Sequence, residues 1–161
     1  MARWSVNFVG TTLTAVADTV NMTNGGYCAL QGGTTTQRIN ILEVFMGGMG
    51  TASVPTAVSI ARDSTVGTTL SVGRIAALDA ASANLAANPV PFQTATTVPQ
   101  RSATLSLLQL AFNVFGGLVR WVAAPGEELG MLGSTASLGE MSLSSTTGGG
   151  SITSHFIVEP F

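Results

Sequence analysis

Charge is what this sequence has least of. Only 14 of its 161 residues are charged, or 9%, where an ordinary soluble domain carries about 25%, roughly 40 at this length. A compact monomer of this size exposes about 7,500 Å², so each charge serves roughly 540 Å² of surface. Disordered chains are poor in apolar residues and rich in charge. This one is 45% hydrophobic, so disorder is excluded. Two classes remain: a membrane protein, or a protein that hides much of its surface against other subunits.

Lysine is absent. The six basic residues are arginines scattered singly, at positions 3, 38, 62, 74, 101 and 120, and the formal net charge is −2. A nucleic-acid face needs clustered cations to release counterions, and none is present. Without lysine, the glycine clusters Gly47-Gly48-Met49-Gly50 and Gly148-Gly149-Gly150 cannot be phosphate loops of the Walker kind. Cys28 is the single cysteine, which removes an intrachain disulfide framework and a cysteine-based zinc site. His155 is the single histidine, so neither a histidine metal site within one subunit nor a cupin-type site is expected, and no cofactor is.

Long hydrophobic runs are missing too. The longest, Leu107 to Ala124, is broken by Gln109, Asn113, Gly116-Gly117 and Arg120, whereas a membrane helix wants about 20 mostly apolar residues and a central charge in it is costly. Two strands separated at the glycines explain the same residues, so no membrane partner is expected. Near the N-terminus, Asn7, Gly10, Thr11 and Thr12 make the segment too polar for a signal sequence. Trp4, Val6 and Phe8 alternate there with Ser5 and Asn7, which reads as a strand.

What is present is threonine throughout and 19 glycines at short intervals. Short β runs separated by Gly and Ser/Thr clusters are the texture of a sandwich or barrel. Candidate strands are Arg3–Val9 and Leu13–Ala17 joined near Gly10, then Tyr27–Gln31, Gln37–Met46 and Ala57–Arg62, with a turn at Arg62-Asp63-Ser64. Further on come Ala103–Phe115 and Leu118–Ala123 around a Gly116-Gly117 hairpin turn, a turn at Pro125-Gly126, Glu127–Leu132, Leu138–Ser145 and His155–Val158. Thr146–Ser151 reads as a mobile loop. Residues 67–100 differ: alanines up to Asn88-Pro89 allow a short helix or an ordered loop, and Pro89, Pro91 and Pro99 argue against a central strand. This reads as a long surface insertion.

The length suits one domain, so residues 1–161 are read as a single all-β domain. The expected architecture is a jelly-roll-like antiparallel β-sandwich, about eight core strands plus accessory strands. Ile39–Met46 and Leu105–Val114 are apolar on both faces, which asks for a second burial partner, most simply another subunit.

No catalytic constellation emerges. Glu127-Glu128 are neighbours, so on a strand their carboxylates point to opposite faces rather than at one substrate. His155 lies among Ser151, Thr153 and Ser154, but the Gly-x-Ser-x-Gly elbow is absent, and Gly133-Ser134-Thr135-Ala136-Ser137 does not match it. The chain is therefore not expected to be an enzyme, nor to take a small-molecule substrate. Arg120 is more informative, because Leu118-Val119-Arg120-Trp121-Val122 is otherwise apolar on both faces. A buried arginine must pair. Glu43 and Glu140, also embedded in apolar strands, are its candidate partners in a buried or interfacial ion pair.

The strings Asn21-Met22-Thr23-Asn24-Gly25-Gly26-Tyr27 and Gln31-Gly32-Gly33-Thr34-Thr35-Thr36-Gln37-Arg38-Ile39 resemble small structural proteins of tailed bacteriophages. So do residues 119–128, Val119-Arg120-Trp121-Val122 through Glu127-Glu128, and the run Ser154-His155-Phe156-Ile157-Val158-Glu159-Pro160-Phe161. The resemblance implies a capsid decoration (cement) protein on the virion surface. Such a protein forms a jelly-roll homotrimer that clamps the major capsid protein and has no enzymatic activity. No functional residue is carried over by it. The alternative is a receptor- or glycan-binding module of a phage head or tail fibre, which would need exposed aromatics beside acids or amides.

Overall fold

The computed structural model describes residues 2–17, 21–33, 38–71, 73–82, 90–133 and 137–160. Its elements are β1 (Trp4–Leu13), β2 (Tyr27–Gln31), β3 (Ile39–Gly48), β4 (Pro55–Thr65), β5 (Thr68–Ser71), β6 (Arg74–Ala77), β7 (Val90–Thr97), β8 (Gln100–Asn113), β9 (Leu118–Val122), β10 (Leu129–Met131), β11 (Glu140–Thr147) and β12 (Gly150–Pro160). They form two six-stranded antiparallel sheets. The first runs β10-β3-β12-β1-β6, with β9 also paired to β3; the second runs β5-β7-β2-β11-β4-β8.

The pairing is nested. β1 pairs with β12, β2 with β11, β3 with β9 and β4 with β8. Successive pairs alternate between the sheets, which is the jelly-roll arrangement, with eight core strands and β5, β6, β7 and β10 as accessories. The inner faces meet in one apolar core. Trp4, Val6 and Phe8 of β1 point into it, with Ile39, Ile41, Val44 and Met46 of β3, and Val58, Ile60, Met141 and Leu143 from the opposite sheet. Phe8 meets Phe156 edge to face, ring centroids 5.9 Å apart, the geometry that aromatic quadrupoles favour.

Several expectations from the sequence are corrected. Gly10 does not join two strands: β1 runs straight through it, and the register jumps from Phe8↔Ser154 to Thr11↔Ile152. With φ +70°, Gly10 supplies the left-handed residue of a β-bulge. The Arg62-Asp63-Ser64 turn is instead part of β4, and Asp63 is fully buried. The turn at Gly116-Gly117 exists, closed by Gly117 N–H donating to Asn113 O at 2.8 Å. It does not make a hairpin, because β8 and β9 lie in different sheets.

The Thr146–Ser151 loop is a packed corner between the sheets. A side chain on Gly148 would meet the Pro55 carbonyl oxygen, one on Gly149 the Leu13 carbonyl oxygen, and one on Gly150 the Val114 side chain. Glycine is there for close approach, not for mobility.

The stretch 67–100 holds three strands where a loop or short helix was expected. β5 and β7 extend the second sheet beyond β2, and β6 extends the first beyond β1. Pro91 is tolerated in β7 because β5 ends opposite Phe92; beyond that rung the Pro91 carbonyl accepts from Gly73 N–H at 3.2 Å, a bond that asks no N–H of the proline. Residues 83–89, which carry part of the alanine run and Pro89, lie outside the described residues.

Both strands that read as apolar on two faces have physical accounts. In β3, the register slips between Ile157↔Glu43 and Val158↔Ile41, so buried positions run 39, 41, 44, 46 and the period of two breaks at Leu42. In β8, an edge strand, Leu107, Leu108, Leu110 and Phe112 are half-buried against the core; the Leu105 side chain lies outside the described set.

Candidate functional site

The outer face of the first sheet is built from cross-strand rows. The register sets Val122, Glu43, Ile157, Ser5 and Ala76 side by side on β9, β3, β12, β1 and β6. The next row is Arg120, Phe45, His155, Asn7 and Arg74. Arg120 grips Glu43 with two bonds, Nε to Oε1 at 2.7 Å and Nη2 to Oε2 at 3.1 Å. The fork geometry is the favourable one for guanidinium and carboxylate, and hydrogen bonding followed by the Glu43 charge pushes the Arg120 pKa up.

This pair is not buried in the single chain, since the Arg120 side chain is 59% exposed. Glu140 is not part of it. It lies in the other sheet, paired across β2 and β4. The structure thus brings Arg120 and Glu43 together and leaves Glu140 apart.

Beside Arg120 along β9 the face is apolar. Leu118 is 67% exposed and Val122 55%, on either side of Arg120 along β9. Leu118 shares a row with Gly47 and Thr153, and the Val9–Gly10 bulge lies opposite Thr153. Val9, Met49 and Phe115 are exposed at that end, and the Thr153 hydroxyl donates to Met49 Sδ at 2.8 Å. The charge deficit is also sharper than composition implied. Asp63, Arg101 and Glu140 are buried, so at most eleven of the 14 charges serve a surface of 7,314 Å².

His155 sits in the polar row. Its Nε2 lies 3.0 Å from Ser5 Oγ, and Asn7 Nδ2 donates to the same oxygen at 2.7 Å. The Ser5 hydroxyl thus links the Asn7 amide to the His155 ring. Among the described residues no carboxylate bonds to His155, so the orienting acid of a triad is not supplied there. Among the described residues, no group of three or more His, Cys, Asp or Glu could hold a metal ion, and no helix is long and apolar enough to cross a membrane.

A second polar assembly was not anticipated from sequence. On the outward side of the second sheet, Arg101, Asp63, Glu140 and Gln31 line up across β8, β4, β11 and β2, all buried. Glu140 Oε2 accepts from Gln31 Nε2 at 3.0 Å and from Gly67 N–H at 2.9 Å, while Ser142 Oγ donates to Asp63 Oδ1 at 2.6 Å.

Asp63 is held well above the usual carboxylate range, first by burial and then by Glu140, with Ser142 and Arg101 opposing. Burial also raises Glu140, against Asp63, Gly67 and Gln31. Tyr27, whose ring meets Phe92 edge to face, is pushed above the ordinary phenol range by burial and by these carboxyls. The only hint in the sequence was a glutamate inside an apolar strand; Asp63 was disguised as a turn residue.

The aromatics a glycan site would use are withdrawn from the surface. Trp4 and Tyr27 are buried, and Trp121 packs against the core.

No protein-family model matches the sequence, and no curated protein matches it. Among solved structures, the chain is similar at 11% identity to a mutant VP2 protein of infectious bursal disease virus in derived T=1 particles. The alignment covers 98% of this chain and 39% of that one, with a TM-score of 0.18. The chain spans about two fifths of that protein's length, and the superposition is too poor to transfer anything from it.

Proposed function

We propose that this chain is a structural virion protein that decorates and stabilises a phage capsid, self-associating as a homotrimer and binding the major capsid protein. The observation that carries the assembly half is the outer face of the first sheet. There Leu118 and Val122 stand exposed, with Val9, Met49 and Phe115 exposed towards one end, on a chain with few charges to solvate them. Large apolar side chains exposed on a charge-poor surface are the kind of feature that marks protein contacts. The phage setting rests on the resemblance of residues 21–39, 119–128 and 154–161.

Sedimentation velocity on the purified chain tests self-association, and co-sedimentation with capsids of the major capsid protein tests the partner. A monomer at micromolar concentration that leaves capsids undecorated would sink the reading.

A further inference from the structure

The open end of the sandwich holds a cavity of about 340 Å³, lined by Arg38, Asn40, Arg62, Met131, Leu132 and Leu138, with Gly130 at its wall. Its size is at the lower end of small-molecule sites. Arg62 comes from β4 in the second sheet and reaches across to β10 in the first, where Nε and Nη2 both donate to Gly130 O at 3.1 and 2.7 Å. That fork fixes the guanidinium and leaves its Nη1 group without a bond to any described residue.

Arg38 enters from the start of β3, and neither arginine forms an ion pair with a described residue. Two of the chain's six cations thus converge on one cavity whose described lining contains no carboxylate.

The opposite wall is apolar and held in a costly shape. Leu138 has φ +69°, the single described non-glycine residue in the left-handed region, which bulky side chains rarely adopt. Leu132 N–H donates to Leu138 O at 3.2 Å and closes the loop. The result keeps two partly exposed leucines at the cavity. Strained backbone maintained at a pocket points toward a ligand site.

We propose that this cavity binds a carboxylate carried on a short apolar body, the acid on Arg38, Arg62 and Asn40 and the body on Met131, Leu132 and Leu138. The proposal is independent of the assembly reading. Two sources share this chemistry, a free aliphatic acid and the terminal carboxylate of a peptide ending in leucine.

Amide NMR titration of the intact chain with octanoate, octanol, octyltrimethylammonium and an acetylated leucine-terminated peptide separates the outcomes. Saturable shifts are expected with octanoate or the peptide acid, confined to Asn40, Gly130, Met131, Leu132 and Leu138. The tighter of the two identifies the source. Arg38→Met, at an exposed residue, is expected to weaken binding about tenfold through loss of a charge-assisted contact. Leu138→Gly, which relieves the backbone and removes the apolar wall, is expected to weaken the octyl chain but not the charge preference. Octanol or octyltrimethylammonium binding as well as octanoate, or no saturable shift at these amides, overturns the proposal.

Discussion

Asp63 and Glu140 stand side by side on β4 and β11 with both carboxyls out of solvent, close enough that each bears on the other's titration. Among the described residues, Asp63 Oδ2 and Glu140 Oε1 are buried without a hydrogen-bond partner. A single shared proton satisfies both oxygens, whereas two buried carboxylates in contact would repel. The pair therefore works as a proton-dependent link between two central strands of the second sheet.

The pH dependence follows in sign. Both groups have folded pKa values raised above the unfolded carboxylate values of about 4. Between the unfolded and folded values the native state holds a proton that the unfolded chain has released. The stabilisation is complete below about pH 4 and lost as pH rises through the folded pKa, with a slope of at most ~1.4 kcal/mol per pH unit for one proton. Thermal melts should show a higher Tm at mildly acidic than at mildly alkaline pH, and Asp63→Asn should flatten that slope. A pH-independent Tm in the parent chain contradicts the shared proton.

Arg120→Met should leave the melting temperature of the isolated chain unchanged. The pair with Glu43 is well formed but open to water, where screening removes most of its worth. If the first sheet's outer face is an interface, the same change weakens the oligomer measured by sedimentation. Leu118→Asp should do so more strongly, because it puts an unpaired charge into the apolar part of that face while sparing the core.

Gly148→Ala should destabilise by at least about 2 kcal/mol. It combines a left-handed backbone, φ +73°, with a Cβ aimed at the Pro55 carbonyl oxygen, and each of these has a cost of that order. Gly116→Ala is the control, since its φ of +67° is similar but nothing lies near the added carbon. Chemical denaturation of both variants separates strain from collision.

Cys28 should resist thiol reagents in the native state at pH 8 and react at once in urea. It is fully buried, and burial pushes its thiol up to about 11 despite hydrogen bonds from Ser154 and Thr11. Rapid labelling without denaturant would show that the core opens far more readily than its packing implies.

The sandwich was legible because its signals are local. Alternation in Trp4–Phe8 and the bracketing of Tyr27–Gln31 by glycines mark strands without reference to partners. The misread places are those where distant chain decides the outcome. Gly10 looks like a turn until β12 is laid beside it, and Asp63 looks like a turn residue until Glu140 arrives from 77 positions away. Pro91 can occupy a strand only because β5 stops short of it. The Arg120–Glu43 pair was accessible because both residues stand out in apolar strands. Its exposure was not, because an apolar strand on an uncovered sheet has the same sequence as one in a core. The Arg38–Arg62 cavity left no trace at all, since it joins two singly placed arginines from opposite sheets.

The nested pairing also constrains when this protein can fold. β12 lies between β3 and β1 in the first sheet, yet it is the last of these strands to be synthesised. Until it leaves the ribosome, β1 and β3 flank an empty slot one strand wide, with unpaired edges and an uncovered apolar inner face. Non-local β pairings of this kind are slow and aggregation-exposed. The first sheet cannot close until Gly150–Pro160 has been made, so whatever shelters that slot in the meantime also guards against misassembly.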